Sequence, residues 1–301
     1  MHMDVQPSIR YPATWEANLL AASTLIMLLI STGILSVFFE LPVVLIAGQL
    51  LVIVPALLWI AIRRLPLQAT LRLYPIPIHT ALWSILIGFA CWPVVAGMAT
   101  LLEKPLLLIG PYPAAPLPSS WPESVAYALA YIVLAPLTEE PIYRGFILQA
   151  WLRRGTRVGI ILSGFLFGLL HSQIAPLLPL MLLGIVLGLL VYRSQSILSS
   201  ILAHASYNTA ASLFVIVPSL QGTQEVVFIV AGIIALPIAA LLVWLFLRRT
   251  TIPPTNMPPQ ESTSWWRVII SLLVVIGLFV LMAVIEIVLR LYPDLMGLKG
   301  A

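Results

Sequence analysis

Charged residues and cysteines are both scarce in this sequence. Of its 301 residues, 15 are Lys or Arg and 11 are Asp or Glu, so 9% are charged, against about 25% in an ordinary soluble domain. Hydrophobic residues make up 61% of the chain, and its mean hydropathy is +1.07. Too few polar residues remain to cover a soluble fold of this size, which excludes a soluble globular protein, a disordered chain and a collagen-like chain. The composition favours a helical protein that crosses a membrane several times.

The single cysteine and the scattered positive charge exclude further classes. Cys91 is the only cysteine, so neither an intramolecular disulfide nor a cysteine-based zinc site can form. The net charge of +4 is spread along the chain, which argues against a nucleic-acid partner. The phosphate-binding P-loop pattern, the dinucleotide-binding GxGxxG pattern and the HExxH zinc-protease pattern are all absent from the sequence.

Apolar stretches of membrane-spanning length dominate the chain. A helix needs about 20 apolar residues to cross the hydrocarbon layer. No small-residue cleavage site follows the first stretch, so we expect a span there rather than a signal peptide. The fifth and sixth stretches are short, and we expect a tight hairpin. The sequence thus predicts an all-α polytopic transmembrane bundle of about eight to nine spans near residues 18–39, 41–62, 80–102, 122–151, 157–172, 176–192, 197–217, 225–247 and 268–289.

The positions of Lys and Arg predict how these spans are oriented. Eleven lie in the N-terminal segment and in the loops after spans two, four, six and eight, whereas Lys104, Arg290 and Lys299 lie on the other side. Cytoplasmic loops carry an excess of positive charge, so we expect a cytoplasmic N-terminus and an external C-terminus. Because the sequence shows no organelle signal, we expect an integral protein of a prokaryotic plasma membrane. The Pro-rich segment 250–264 is expected to be a cytoplasmic linker before an added last helix.

Most acidic residues lie near the ends of the predicted spans. Charged groups avoid the hydrocarbon layer, so we expect these residues to be solvated at the membrane interface. Glu286 and Arg290 are four residues apart on one helix, a spacing that also predicts an ion pair. The acidic residues at span ends are Glu16, Glu40, Glu103, Glu123, Glu225, Glu286 and Asp294.

Three charged residues, by contrast, lie within span four. Glu139, Glu140 and Arg144 belong to the run LTEEPIYRG, and charges at this depth are costly unless they are paired or functional. Glu140 and Arg144 share a helix face and can neutralise each other. Glu139 is rotated by about 100° and has no such partner, so its carboxylate would accept a proton readily, as a general base must. Pro141 is expected to kink the helix and to free the carbonyl of Leu137.

Two histidines and an asparagine lie in other spans at a similar depth. His171 ends span five, and His204 and Asn208 are four residues apart in span seven, so the latter two point to one side of their helix. At 1.5 Å per residue from the nearest loop arginine, Glu139 and His171 lie about 21 Å deep and His204 about 16 Å deep. A lone intramembrane His or Asn more often hydrogen-bonds two helices together. The combination favours one buried functional site between spans four, five and seven.

These residues resemble the motifs of a known family. The run from Glu139 to Gly145 matches the EExxxR motif of the CPBP intramembrane proteases, which include CAAX prenyl endopeptidases of the Rce1 type and bacterial Abi proteins. Phe167 to His171 matches the FxxxH motif of that family, and His204 to Asn208 matches its HxxxN motif. The three motifs occur in family order on separate predicted helices. The resemblance covers about residues 122–216.

The resemblance implies an intramembrane endopeptidase that hydrolyses a peptide bond of a membrane-associated protein or peptide. Glu139, assisted by His171, would activate the hydrolytic water. His204 and Asn208 would stabilise the oxyanion. Amide hydrolysis needs a base for water, donors for the tetrahedral oxygen and a proton for the leaving amine, so the residue types suit the reaction.

The same resemblance implies roles outside the reaction itself. Glu140 and Arg144 would form a structural pair at the site, and Phe167 would pack near His171 without taking part in the chemistry. Span one and the last two spans would lie outside the catalytic core. The expected divisions are N-terminal transmembrane helices over residues 1–121, a CPBP-like catalytic core over residues 122–217, and C-terminal transmembrane helices over residues 218–301.

Metal use is a separate question. The family is commonly classed with the metalloendopeptidases, and Glu139, His171 and His204 could supply three zinc ligands. The sequence lacks HExxH, and Asn208 would be a poor ligand. Direct activation of water by Glu139 and His171 needs no metal, so we favour a reaction without a cofactor, with zinc as the alternative.

Two other functions stay open at this stage. A proton-coupled transporter would use the same buried Glu and His residues, although the sequence shows no pair of inverted repeats. A non-catalytic membrane partner, such as a bacteriocin-immunity-type protein, would keep the fold without the reaction. If the protein is an enzyme, its expected partners are the lipid bilayer and a membrane-associated protein or peptide substrate.

Overall fold

The computed structural model describes residues 11–112, 117–217, 220, 225–250 and 259–293, and this part of the chain contains helices but no strand. The two ends of each principal helix lie within four residues of the ends of the corresponding predicted apolar stretch. The prediction of an all-α polytopic bundle is therefore confirmed. The nine principal helices are α1 Thr14–Phe38, α2 Leu41–Arg63, α3 Ile78–Leu106, α4 Trp121–Leu152, α5 Thr156–Leu170, α6 Ile174–Ser194, α7 Ile197–Ile216, α8 Glu225–Arg249 and α9 Trp265–Leu291.

Seven of the described helices are long and apolar enough to cross a membrane, namely all except α5 and α7. Helix α5 has 15 residues; α7 has 20 but includes a polar run around His204. These two helices carry the histidines of the predicted site. A turn of three residues joins α5 to α6, as the predicted hairpin requires. The side of the membrane that each loop faces stays a prediction.

Helix α4 lies at the centre of the bundle. Every side chain from Thr138 to Leu152 is buried, and the helix contacts α1, α2, α5, α6 and α7. Helices α8 and α9 instead expose many large apolar side chains, as surfaces that face lipid do. The pair Glu139 and Glu140 is thereby held among other helices and away from lipid.

The backbone of α4 departs from a regular α-helix on both sides of this pair. The stretches Leu129–Leu134 and Pro141–Ile147 are π-helical. In the second stretch the N–H of Leu148 donates to the carbonyl of Tyr143, five residues back. Proline has no N–H to continue the α-helical ladder, so the irregularity begins at Pro141, the residue where the sequence predicts a kink. π-Helical turns are frequent at functional sites.

Two of the acidic residues expected at the membrane interface are buried instead. Glu16 is 2% exposed and pairs with Arg63 at 2.6 Å, and Glu286 is 4% exposed and pairs with Arg290 at 2.7 Å. The expectation of interfacial solvation was wrong for these two, because their helix ends face neighbouring helices.

Some of the predictions concern parts of the chain that lie outside the described residues. These are Asp294, Lys299, residues 1–10 and residues 251–258 of the linker.

Glycines allow the helices near the site to approach closely. A Cβ atom on Gly88 of α3 would lie 2.0 Å from the carbonyl oxygen of Ala203 in α7, and one on Gly184 of α6 would lie 2.8 Å from Cα of Gly164 in α5. Small residues at such crossings let helix backbones pack together in membranes. Ala203 precedes His204, so the first of these contacts also sets the position of a predicted site residue.

The substitution Gly88→Ala tests the close approach of α3 and α7. Because the new methyl group would overlap a backbone oxygen, we expect a loss of about 1–3 kcal/mol of stability. Gly277→Ala on α9 is the matched control, since nothing lies within 4 Å of a Cβ there; alanine is the better helix former, so its effect should be neutral or slightly stabilising. Thermal unfolding of the detergent-purified variants measures both, and equal melting temperatures would contradict the packing described.

Candidate active site

The two adjacent glutamates of α4 have different surroundings, and Glu140 is the paired one. Arg144 Nη1 lies 3.1 Å from Glu140 Oε1, and both side chains are fully buried. Arg144 Nη2 donates to the carbonyl of Gly184 at 3.3 Å, and the guanidinium carbon lies 4.2 Å from the ring centroid of Phe167. The arginine therefore connects α4 to α6 and α5.

Glu140 also holds a residue of the third motif. His204 Nδ1 lies 2.9 Å from the same Oε1 atom that Arg144 contacts, and His204 is 3% exposed. Because a carboxylate bonded in this way accepts, Nδ1 is assigned as the donor. This hydrogen bond joins α4 to α7 and orients the imidazole ring with Nε2 on its other side.

Glu139 has no comparable partner. It is 6% exposed, and its Oε2 atom is buried without a hydrogen-bond partner among the described residues. A cavity of about 400 Å³ lies beside it, and His171, His204 and Asn208 line the same cavity. The structure thus brings the four residues to which the resemblance assigns hydrolysis to one cavity.

His171 lies at the C-terminal end of α5, directly after the last helical residue. Its Nδ1 atom is 3.1 Å from the carbonyl oxygen of Phe167. A carbonyl can only accept, so Nδ1 is assigned the proton and Nε2 is left as the basic nitrogen. The Phe167 ring lies 5.1 Å from the His171 ring and 5.7 Å from that of His204, in edge contacts. Phe167 therefore packs between the two imidazoles.

Asn208 is anchored to α4 through one half of its amide. Its Nδ2 atom donates to the carbonyl of Tyr131 at 2.7 Å, and this carbonyl lies in the first π-helical stretch of α4. An amide nitrogen has two N–H donors, so one donor stays available at the cavity. The irregular backbone of α4 supplies the acceptor that orients the side chain.

Three further polar residues line the cavity and were not identified from the sequence. They are Gln49 in α2, Tyr131 in α4 and Tyr207 in α7. Gln49 is an isolated amide within an apolar stretch, a signal that could have been read. Tyr207 precedes Asn208, and sequence spacing alone does not reveal that both side chains reach one cavity.

The hydrogen bonds of the two histidines bear on the zinc alternative. No group of three or more His, Cys, Asp or Glu side chains in the described ranges could hold a metal ion. The Nδ1 atoms of His171 and His204 are engaged with a carbonyl and a carboxylate, respectively. Histidines that bind a metal through one ring nitrogen commonly donate the other ring N–H in this way, so zinc binding by Glu139, His171 and His204 stays a prediction.

Comparison with known protein families matches residues 121–210 to the family described as "Type II CAAX prenyl endopeptidase Rce1-like". The matched segment includes all three motifs, the whole of α4, α5 and α6, and most of α7. The resemblance predicted from the motifs is therefore confirmed for this segment. Helices α1, α2, α3, α8 and α9 lie outside it.

Among curated proteins, the chain is similar to an "Uncharacterized 24.3 kDa protein" of Escherichia coli, with 32% identity over 101 residues. The aligned part covers 32% of this chain and 46% of that protein, so the chain matches less than half the length of this relative. No solved structure matches the chain.

The substitution Arg144→Met tests the buried pair. Removing the cation leaves Glu140 as an uncompensated buried charge, so we expect a loss of about 3–5 kcal/mol of stability. The double substitution Glu140→Gln with Arg144→Met should recover much of it. Glu139→Gln is the control, because Glu139 has no partner to lose, and its melting temperature should stay close to that of the unchanged protein. A melting temperature for the double variant as low as that of Arg144→Met alone would contradict this assignment.

Proposed function

We propose that this protein is an intramembrane endopeptidase that cleaves membrane-associated proteins or peptides. The observation that carries the proposal is the contrast between the two glutamates: Glu140 binds Arg144 and His204 through its Oε1 atom, whereas no ion pair of Glu139 is found among the described residues, and it lies buried beside a cavity that His171 also lines. A purely structural pair of glutamates would have no need of a free carboxylate there. The family match over residues 121–210 supports a peptidase independently.

Water activation is assigned to Glu139 and His171. A water molecule in the cavity would give its proton to Glu139 as its oxygen attacks the carbonyl carbon of the scissile bond. The basic Nε2 of His171 would hold that water in the attacking orientation. The same proton would then pass to the nitrogen of the departing amine, so that the carboxylate is regenerated and water has been added across the amide bond.

Stabilisation of the oxyanion is assigned to His204 and Asn208. Asn208 keeps one N–H after its bond to Tyr131. His204 already donates through Nδ1 to Glu140, so its Nε2 can donate to the oxyanion only when the ring is an imidazolium. Fixed donors of this kind act strongly where water is excluded.

The substrate class follows from the walls of the cavity. Apart from its polar residues, the cavity is lined by apolar side chains such as Val95, Leu170, Leu180 and Leu183. Such walls suit apolar residues on either side of the scissile bond. A hydrophobic peptide or the membrane-embedded segment of a protein is therefore the proposed substrate.

Loss of cleavage in Glu139→Gln is the central prediction. The protein, reconstituted in lipid, is incubated with a library of hydrophobic peptides, and products are identified by mass spectrometry. We expect Glu139→Gln and His171→Ala to lower the rate at least about 100-fold, because each removes a group that acts on the water, while both variants insert and fold. Glu123→Gln, at the start of the same helix and outside the cavity, is the matched control and should cleave normally. Cleavage by Glu139→Gln at the control rate would refute the mechanism.

A chelator distinguishes the two versions of the reaction. We expect cleavage to persist after treatment with 1,10-phenanthroline, since no metal takes part in the proposed steps. A loss of cleavage that added Zn²⁺ restores would instead assign Glu139, His171 and His204 as zinc ligands and overturn the metal-free proposal.

A further inference from the structure

We infer that Glu286, on the last described helix, is a positioning residue for His171. It acts through a hydrogen bond to the first residue of α6, directly after the short turn that begins at His171. The inference rests on the proposed function, in which His171 orients the water. It assigns a role to α9, which lies outside residues 121–210 that match the family. A series of connected contacts on the side of the bundle where α5 ends carries the argument.

The position of His171 depends on a short turn. Residues 171–173 connect α5 to α6, and Ser172 adopts φ +55°, in the left-handed region that residues other than glycine seldom occupy. A backbone held in that region must be stabilised by its surroundings. The contacts of the turn with other helices therefore affect where the His171 ring lies.

Glu286 supplies such a contact. Its Oε2 atom accepts a hydrogen bond from the backbone N–H of Ile174 at 2.9 Å, and Ile174 is the first residue of α6. The first N–H groups of a helix have no acceptor within the helix. Gln173, at the N-cap position, provides no side-chain cap. The carboxylate of Glu286 takes that place from another helix, where it also meets the positive end of the helix dipole.

Arg290 holds Glu286 in place. Its Nε and Nη2 atoms lie 2.9 and 2.7 Å from Glu286 Oε1. The same guanidinium binds Glu103 at the end of α3 through both terminal nitrogens, at 2.6 and 2.8 Å, and donates to the carbonyl of Gly110 at 3.0 Å. We call Glu103, Glu286 and Arg290 the α9 clasp. Arg290 and Glu286 are 2% and 4% exposed, whereas the side chain of Glu103 is 27% exposed. The pair at the centre of the clasp is therefore buried, and the bidentate contacts fix its geometry.

The loop after α3 holds the turn from a second direction. Gln173 Nε2 donates to the hydroxyl of Tyr112 at 3.0 Å, and the Tyr112 ring centroid lies 5.3 Å from the guanidinium carbon of Arg290. The turn is thus fixed through Ile174 by α9 and through Gln173 by this loop. Both contacts lead back to Arg290.

This arrangement has a consequence for the rate of cleavage. A shift of a reacting group by about 1 Å can cost about 100-fold in rate. Without the carboxylate of Glu286, the start of α6 and the turn before it are free to move, and the ring of His171 moves with them. The clasp makes no contact with the cavity itself, so substrate binding should change little.

The experiment compares Glu286→Ala, Glu286→Gln and the unchanged protein in lipid. Hydrogen exchange followed by mass spectrometry reports on residues 171–176, and the rate of carbethoxylation of His171 reports on its position. The kcat and KM values for a peptide cleaved in the library assay report on the reaction. We expect Glu286→Ala to raise exchange in the turn at least tenfold, to alter the rate of His171 modification and to lower kcat about 10- to 100-fold, with little change in KM. Glu286→Gln keeps an oxygen acceptor for Ile174 and should recover most of kcat.

Glu225→Ala is the matched control, because Glu225 also pairs with a cation, Lys104 at 3.1 Å, but is exposed. It should change none of these quantities. Unchanged exchange at residues 171–176 in Glu286→Ala would refute the clasp. Faster exchange with an unchanged kcat would show a structural role alone and overturn the positioning role. If the unchanged protein cleaves no peptide in a manner that depends on Glu139, the proposed function fails and the catalytic role of Glu286 fails with it, whereas the exchange data still report on the contact itself.

Discussion

The fold around the site depends on one buried ion pair. Glu140 and Arg144 lie a single helical turn apart, fully enclosed, where no water can take over their hydrogen bonds. The hydrogen bonds that they form are therefore with protein groups, and Glu140 Oε2 and Arg144 Nε have no hydrogen-bond partner among the described residues. The carboxylate accepts a hydrogen bond from His204 in α7. The guanidinium donates to the carbonyl of Gly184 in α6 and packs over the ring of Phe167 in α5. Two charges that cannot leave the interior thus connect four of the helices that line the cavity.

The ion pair of Glu140 with Arg144 explains how the adjacent Glu139 can stay without a bonded cation. Successive residues on a helix point about 100° apart, so Glu139 faces away from Arg144 even though the two glutamates are adjacent. The neighbouring ion pair compensates its own charge and leaves the carboxylate of Glu139 buried without a bonded cation. Adjacent residues of the same type can therefore differ in role because of their direction alone.

The sequence predicted those features that depend on spacing within one helix. The nine apolar stretches and the i,i+4 pairs, Glu140 with Arg144 and Glu286 with Arg290, were all predicted and are present. Contacts between distant segments were not predictable in the same way. That Gln49 lines the cavity, or that Glu286 reaches Ile174, depends on how helices separated by tens or more than a hundred residues pack. Spacing gives the direction of a side chain on its own helix, but it does not identify the helix that it faces.

The expectation that acids at helix ends would be solvated failed for the same reason. It followed from the free energy needed to place a charge in hydrocarbon. A partner of opposite charge can offset that free energy as well as water can. The charge of Glu16 is offset by Arg63, and that of Glu286 by Arg290 and the N–H of Ile174. A charged residue whose partner lies on another helix also fixes the relative position of the two helices. In a chain where 9% of residues are charged, each buried charge therefore constrains the packing more than an apolar residue can, because an ion pair prescribes distance and direction whereas apolar contact prescribes neither.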